Sequence, residues 1–254
     1  MPFRLQYVSN LLLPMLKSSP KQFTLPVNAP TLALLGNIGV PDCPKTKDFF
    51  QWADESYQQV LWIPGGLEYS SNHAEKCAWN ESADACYHAI RDWKLSQTSF
   101  CQKMNIRVPF STLTLLATPG GLTNHSSIKH FRWDTSGDYV EVEQSDYVRF
   151  RNNEHSWIEN SLIQTAGPIA VLSHGCVSLS LLQRYNVVAN CFGTKRTGEL
   201  ESSTGGQPWT AINMAGHDKF RPSAVFEFDS IAYMKQQQER KSVSKLDSSS
   251  IDMR

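Results

Sequence analysis

Residues 31–37 read Thr-Leu-Ala-Leu-Leu-Gly-Asn, an apolar run halted by Gly36 and again by Gly39. A strand that is apolar on both faces must be covered on both faces, as in a sheet with helices or a second sheet packed against it. Similar runs recur at 5–9 (LQYVS), 59–66 (QVLWIPGG), 168–175 (PIAVLSHG) and 185–193 (YNVVANCFG). Between them lie stretches of helical period. Residues 45–59 space Phe49, Phe50, Trp52, Ala53 and Tyr57 among charged positions, and 81–100 and 152–165 read as further helices. Strand, helix and strand in repetition predict a layered α/β fold with much parallel pairing.

The remaining segments fit one domain over 1–234. Residues 107–118 read as one or two strands, and 208–216 and 223–228 close the series. The stretch 119–150, broken by Pro119-Gly120-Gly121 and Ser136-Gly137-Asp138, reads as a loop-rich insertion. Residues 235–254 form a polar tail, expected to be helical or disordered. In sheets of this kind the loops at the carboxyl ends of the strands face one crevice. Asn10, Asn37, Gly65, His174 and Asn190 stand at such ends and are expected together in space.

Composition removes several classes of function. Lys and Arg total 24 against 24 for Asp and Glu, so no basic excess points to nucleic acid or an anionic membrane. Six cysteines, Cys43, Cys77, Cys86, Cys101, Cys176 and Cys191, are scattered without a C-x-x-C pair and read as free thiols used as small apolar residues. No stretch approaches the roughly 18 apolar residues of a membrane span, and the N-terminus has no signal-peptide pattern. A cytoplasmic or other intracellular protein is expected, so the Asn-x-Ser triplets at Asn80 and Asn124 read as incidental.

The order of the strand-end loops resembles that of the calcineurin-like metallophosphoesterases over roughly 3–230. That family opens on a strand ending in Asp-Leu-His, where this chain has Asn10-Leu11-Leu12. Its Gly-Asp motif is similar to Gly36-Asn37-Ile38-Gly39, and its Gly-Asn-His-Glu motif to Gly65-Gly66-Leu67-Glu68, followed by Tyr69. Ser111-Thr112-Leu113-Thr114 is similar to a later segment of one subgroup. Ser173-His174-Gly175 and Asn190-Cys191-Phe192-Gly193 stand where Thr-His-His and Gly-His-x-His would fall, and Asn213 to Gly216 and 225–228 complete the order. The resemblance implies a β-sandwich flanked by helices, and a two-metal site whose ligand positions are 10, 12, 37, 66, 174, 191 and 193.

The residues at those positions lack the chemistry. Two cations about 3.5–4 Å apart need carboxylates and imidazoles around them. Asn10 and Asn37 offer neutral amides, Leu12, Gly66 and Gly193 offer no side-chain donor, and Cys191 is a thiol. Leu67 stands where an imidazole would protonate a leaving group, and His174 alone keeps its ligand type. His88 and His155 read as surface or packing residues on helices, and His217 as exposed in a turn. His73 has no acidic partner at ligand spacing, while His125 and His130 with Asp134 could form a separate site in the insertion. The chain contains neither a G-x-S-x-G elbow nor a Gly-rich phosphate loop with Lys, and Cys176 beside His174 does not read as a nucleophile pair.

The expected function is that of a non-catalytic metallophosphoesterase-fold protein serving as a binding or assembly subunit, without a cofactor. Its expected partners are proteins of a larger assembly or particle. Two alternatives stand beside it. One is a metal-dependent phosphoesterase holding one divalent transition metal at low occupancy around His174, Cys191 and Asn37. The other is a cleft that binds a phosphate-containing ligand without turnover, with neutral Asn10 and Asn37 no longer repelling an anion.

Overall fold

The computed structural model describes residues 2–16, 24–70, 77–122, 128–175, 177–185, 187–192, 209–212 and 225–238. In chain order the elements are β1 (Phe3–Val8), β2 (Thr31–Leu35), α1 (Pro44–Ser56), β3 (Gln59–Ile63), α2 (Trp79–Asp92), β4 (Thr98–Phe100), β5 (Met104–Arg107) and β6 (Thr114–Thr118). They continue with β7 (Phe131–Trp133), β8 (Tyr139–Glu141), α3 (Gln144–Gln164), β9 (Ile169–Ser173), α4 (Leu179–Leu182), β10 (Val187–Phe192), β11 (Trp209–Ile212) and β12 (Val225–Phe228). Residues 230–238 are also helical.

The strands form two mixed five-stranded sheets, β12-β1-β2-β3-β4 and β11-β10-β9-β6-β5, and a β7-β8 hairpin. Among the described residues, only the edge strands β12 and β5 run antiparallel to their neighbours within the five-stranded sheets. The α/β expectation holds in this coarse form.

Alternation along each strand sends successive side chains to opposite faces. Ala33, Leu35, Leu61 and Ile63 of the first sheet share a buried cluster with Leu115, Ala117, Ala170 and Leu172 of the second. On the outer face of the first sheet, Leu32, Leu34, Val60 and Trp62 pack with Phe49 and Phe50 of α1 and with Ala83 and Cys86 of α2. On the outer face of the second, Leu116, Ile169 and Val171 pack with Ile158 and Leu162 of α3. The order of layers is helix, sheet, sheet, helix. Each fully buried Leu, Ile or Val side chain contributes roughly 1.5–3 kcal/mol.

Several boundaries differ from expectation. The helix expected over 81–100 stops at Asp92, and 98–100 pair as β4 beside β3. Its end is a left-handed Lys94 (φ 57°), with Leu95 N–H donating to Ile90 O at 3.0 Å, a six-to-one closure usually signalled by glycine. The insertion contains the β7-β8 hairpin, and α3 starts at Gln144 instead of 152. There Glu143 N–H donates to Asp146 Oδ2 at 3.1 Å, satisfying a donor at the helix start. The polar tail enters the helix of 230–238, and 239–254 lie outside the described residues.

Cys43, Cys77, Cys86, Cys101 and Cys191 are free thiols, and Cys176 is outside the described residues. Among the described residues, no helix is long and apolar enough to cross a membrane.

Candidate functional site

The loops after β1, β2 and β3 join into one hub. Beyond their strands, the first two continue the parallel ladder: Asn10 N–H donates to Gly36 O at 2.9 Å, Leu12 N–H to Asn37 O at 2.9 Å, and Leu13 N–H to Ile38 O at 2.8 Å. Asn10 (φ 54°), Leu12 (φ 49°) and Asn37 (φ 55°) all take left-handed backbone. Asparagine tolerates that region best among non-glycine residues, whereas leucine is strained in it. The two Asn side chains then engage each other. Asn37 Nδ2 donates to Asn10 Oδ1 at 2.7 Å, and Asn37 Oδ1 accepts the N–H of Leu67 at 2.8 Å.

Glu68 holds the hub from below. It is fully buried, and its carboxylate accepts N–H bonds from Asn37 (2.9 Å), Ile38 (2.8 Å), Gly39 (3.3 Å) and Gly65 (2.8 Å). It also accepts the Trp62 indole N–H at 3.3 Å. A buried carboxylate is costly unless hydrogen bonds replace its hydration, and here converging loop amides supply them. Trp62, with ring centroids 4.3 Å from Phe50 and 5.3 Å from Phe100, anchors this arrangement in the core.

Two histidines close the hub. His174, after β9 of the second sheet, lies against Gly36 and Gly65 of the first. A β-carbon on Gly36 would stand 2.5 Å from His174 Nδ1, and one on Gly65 would stand 2.8 Å from His174 Cδ2. His174 Nδ1 is 2.9 Å from Leu35 O. His130, only 1% exposed, bridges Gly66 O (2.8 Å) and the Tyr147 hydroxyl (2.7 Å). Burial lowers the pKa of both imidazoles, and backbone hydrogen bonds only partly oppose it.

The structure therefore brings Asn10, Leu12, Asn37, Gly66, Leu67 and His174 together, as their strand-end positions predict. Leu67 is buried, and Leu12 packs against it in a cluster with Val40 and Ile128. Cys191 is placed differently. It sits in register with Leu172 within β10, and its thiol lies in the core between the sheets, where burial pushes its pKa up to about 12. Asn190 does not end its strand either: β10 runs to Phe192, and the buried Asn190 side chain has no hydrogen-bond partner among the described residues. Gly193 lies outside the described residues, as do His73, His125 and His217.

Of the residues expected to form a separate site, His130 belongs to the hub, Asp134 caps the β7-β8 turn through Ser136 and Asp138 N–H, and His125 lies outside the described residues. The position of His130 beside Gly66, 64 residues away in sequence, had no local signal. Glu68 was visible as a motif residue, but its role as acceptor for the loops after β2 and β3 was not. Among the described residues, no group of three or more His, Cys, Asp or Glu side chains is arranged to hold a metal ion.

No protein-family model and no curated protein matches the sequence. Among solved structures, the crystal structure of phosphopantetheinyl hydrolase (PptH) from Mycobacterium tuberculosis is similar. The likeness covers 84% of this chain and 89% of that one, with a TM-score of 0.57 and 12% identity. At that identity the likeness concerns the fold alone. The expected membership of the calcineurin-like metallophosphoesterases is thereby corrected. Its motifs were short segments carrying Gly, Asn and Ser at strand ends, residue types that turns favour in general, as Asn10, Gly36 and Asn37 show by taking left-handed backbone. Their order followed the layout of the fold and did not identify a family.

Proposed function

We propose that this chain is a non-catalytic protein on a hydrolase-like fold, acting as a binding or assembly subunit for protein partners. The observation that carries the proposal is the Asn10–Asn37–Leu67 chain of hydrogen bonds. The side-chain oxygens of Asn10 and Asn37, which a cation in the crevice would use, each already accept an amide hydrogen from a neighbouring loop. The donor chemistry points the same way. Asn10 and Asn37 bring no charge, Leu12 and Leu67 fill space with carbon, and Cys191 lies inside the sandwich. A cage for two dications does not fit such a set, since hard cations require anionic oxygen around them.

The test combines metal analysis with an activity screen. Purified protein, dialysed against Mn²⁺ and Zn²⁺, is expected to retain less than one equivalent of either metal. It is expected to leave aryl phosphomonoesters and phosphodiesters intact. Two retained equivalents, or metal-dependent turnover abolished by His174→Ala, would overturn the proposal in favour of a metal-dependent phosphoesterase centred on His174.

A further inference from the structure

A cavity of about 290 Å³ lies apart from the Asn10–Asn37 pair, between α2, the turn joining β4 to β5, and α3. Trp79 and Asp84 of α2, Lys103 of the turn, Phe150 and Glu154 of α3, and Tyr69 line it. Its apolar part is aromatic. The Phe150 ring stands 5.4 Å from Tyr69 at 79° and 5.4 Å from Trp79 at 51°, so three rings form one continuous wall.

Its charge is unbalanced. Among the described residues of the lining Lys103 is the one cation, and its ammonium is 3.1 Å from Glu154, which is only 2% exposed and also accepts the Thr118 hydroxyl hydrogen. Lys103 is therefore engaged, and the exposed carboxylate of Asp84 has no counter-charge among the described residues of the lining. The Tyr69 phenol reports the same field: its pKa is pushed well above the ordinary value, first by burial and then by Glu154, Cys86, Glu68 and Asp84.

We propose that this cavity binds a small organic cation, an alkylammonium whose carbon surface lies against Tyr69, Trp79 and Phe150 and whose charge faces Asp84. Aromatic faces carry negative potential, and desolvated cations over them gain about 0.5–2 kcal/mol. The volume is close to the lower limit of small-molecule sites, roughly 300 Å³, and suits a headgroup-sized ligand. An anion would meet two carboxylates against one engaged ammonium. The site does not depend on the fate of the strand-end hub, and either proposal stands if the other fails.

The probe is choline chloride, titrated into the full chain by calorimetry at physiological salt. Its neutral isostere 3,3-dimethyl-1-butanol and the anion benzoate serve as comparisons. Choline is expected to saturate one site in the millimolar range, with the isostere and benzoate at least about tenfold weaker. Asp84→Asn, an exposed substitution that leaves packing intact, is expected to weaken choline about three- to tenfold. Trp79→Phe keeps a ring in the wall and is expected to weaken it less than Asp84→Asn does. Failure of choline to saturate by about 50 mM, equal binding of the isostere, or unchanged binding in Asp84→Asn would each overturn the proposal.

Discussion

The His130 imidazole lies with Nε2 2.8 Å from the carbonyl oxygen of Gly66, and that contact determines which ring nitrogen carries hydrogen. A carbonyl can only accept, so Nε2 donates, and Nδ1 accepts the Tyr147 hydroxyl hydrogen at 2.7 Å. The same reasoning puts hydrogen on His174 Nδ1, which faces Leu35 O. Burial lowers the pKa of both rings and so favours the neutral imidazole, the form these assignments take.

Acid should destabilise this fold before the carboxylates titrate. Below the ordinary histidine value of about 6.5 the unfolded chain takes up protons that the buried rings refuse, so stability rises with pH across that window. The contribution is complete above the unfolded value and is lost as pH falls towards the folded ones. Each such group adds a slope of about 1.4 kcal/mol per pH unit while the two states differ. Urea midpoints measured from pH 7.5 down to pH 5 are expected to fall steadily, and a flat profile would contradict neutral buried imidazoles.

Placing a carboxylate in the crevice should weaken the fold at neutral pH. In Asn37→Asp the donor to Asn10 Oδ1 becomes an acceptor facing an acceptor, while the bond from Leu67 N–H can persist. A loss of about 1–3 kcal/mol is expected at pH 7. Protonation lets the new carboxyl donate to Asn10, so its folded pKa is raised. The deficit relative to the parent chain should shrink as pH drops towards about 4. Parallel denaturation of both proteins at pH 7 and pH 4 measures the difference.

These cases show what the sequence could reveal. Thr31–Leu35 and Gln59–Ile63 were legible because buried parallel strands need unbroken apolar runs, and α1 because Phe49, Phe50 and Ala53 keep a helical period. The end of α2 was not legible, because Lys94 occupies a left-handed position for which glycine is the usual signal. The hairpin turn hid among polar residues that could equally have formed a loop, until Asp134 Oδ1 gathered the amides of Ser136 and Asp138. Asn10, Asn37 and His174 were found by position at strand ends. His130 could not be, because its partners Gly66 and Tyr147 come from distant segments.

Glu68 should be among the least replaceable residues in the molecule. Glu68→Gln exchanges one acceptor oxygen for an NH2 group that faces loop N–H donors. Orphaned buried donors cost about 1–3 kcal/mol each. A loss of roughly 3 kcal/mol or more is expected. Glu81→Gln, at an exposed carboxylate that accepts Ala78 N–H at 2.7 Å, should lose no more than about 1 kcal/mol. Comparable losses for the two in guanidinium titrations would contradict the role assigned to Glu68.

Gly65 and His174 should be energetically coupled. Gly65→Ala drives a methyl group against the imidazole and the Asn37 amide, each at 2.8 Å, and overpacking of this kind costs about 1–3 kcal/mol. In a His174→Ala background one of those clashes disappears, so the same substitution should cost at least about 0.5 kcal/mol less. A double-mutant cycle in urea returns the coupling, and strict additivity would mean that ring and glycine do not touch.

The close fit of His174 against Gly36 and Gly65 has a consequence for motion. The ring comes from one sheet and the glycines from the other, so the layers are pinned at their carboxyl ends with no slack for a single methyl group. Opening the sandwich there requires the ring and several loop amides to separate in one event. Hydrogen exchange should therefore run against the usual ranking of loops and strands. The amides of Asn37, Ile38 and Gly65 should exchange among the slowest in the chain, while the edge strand β5 exchanges freely. The carboxyl ends of the strands are here the seam between the two sheets.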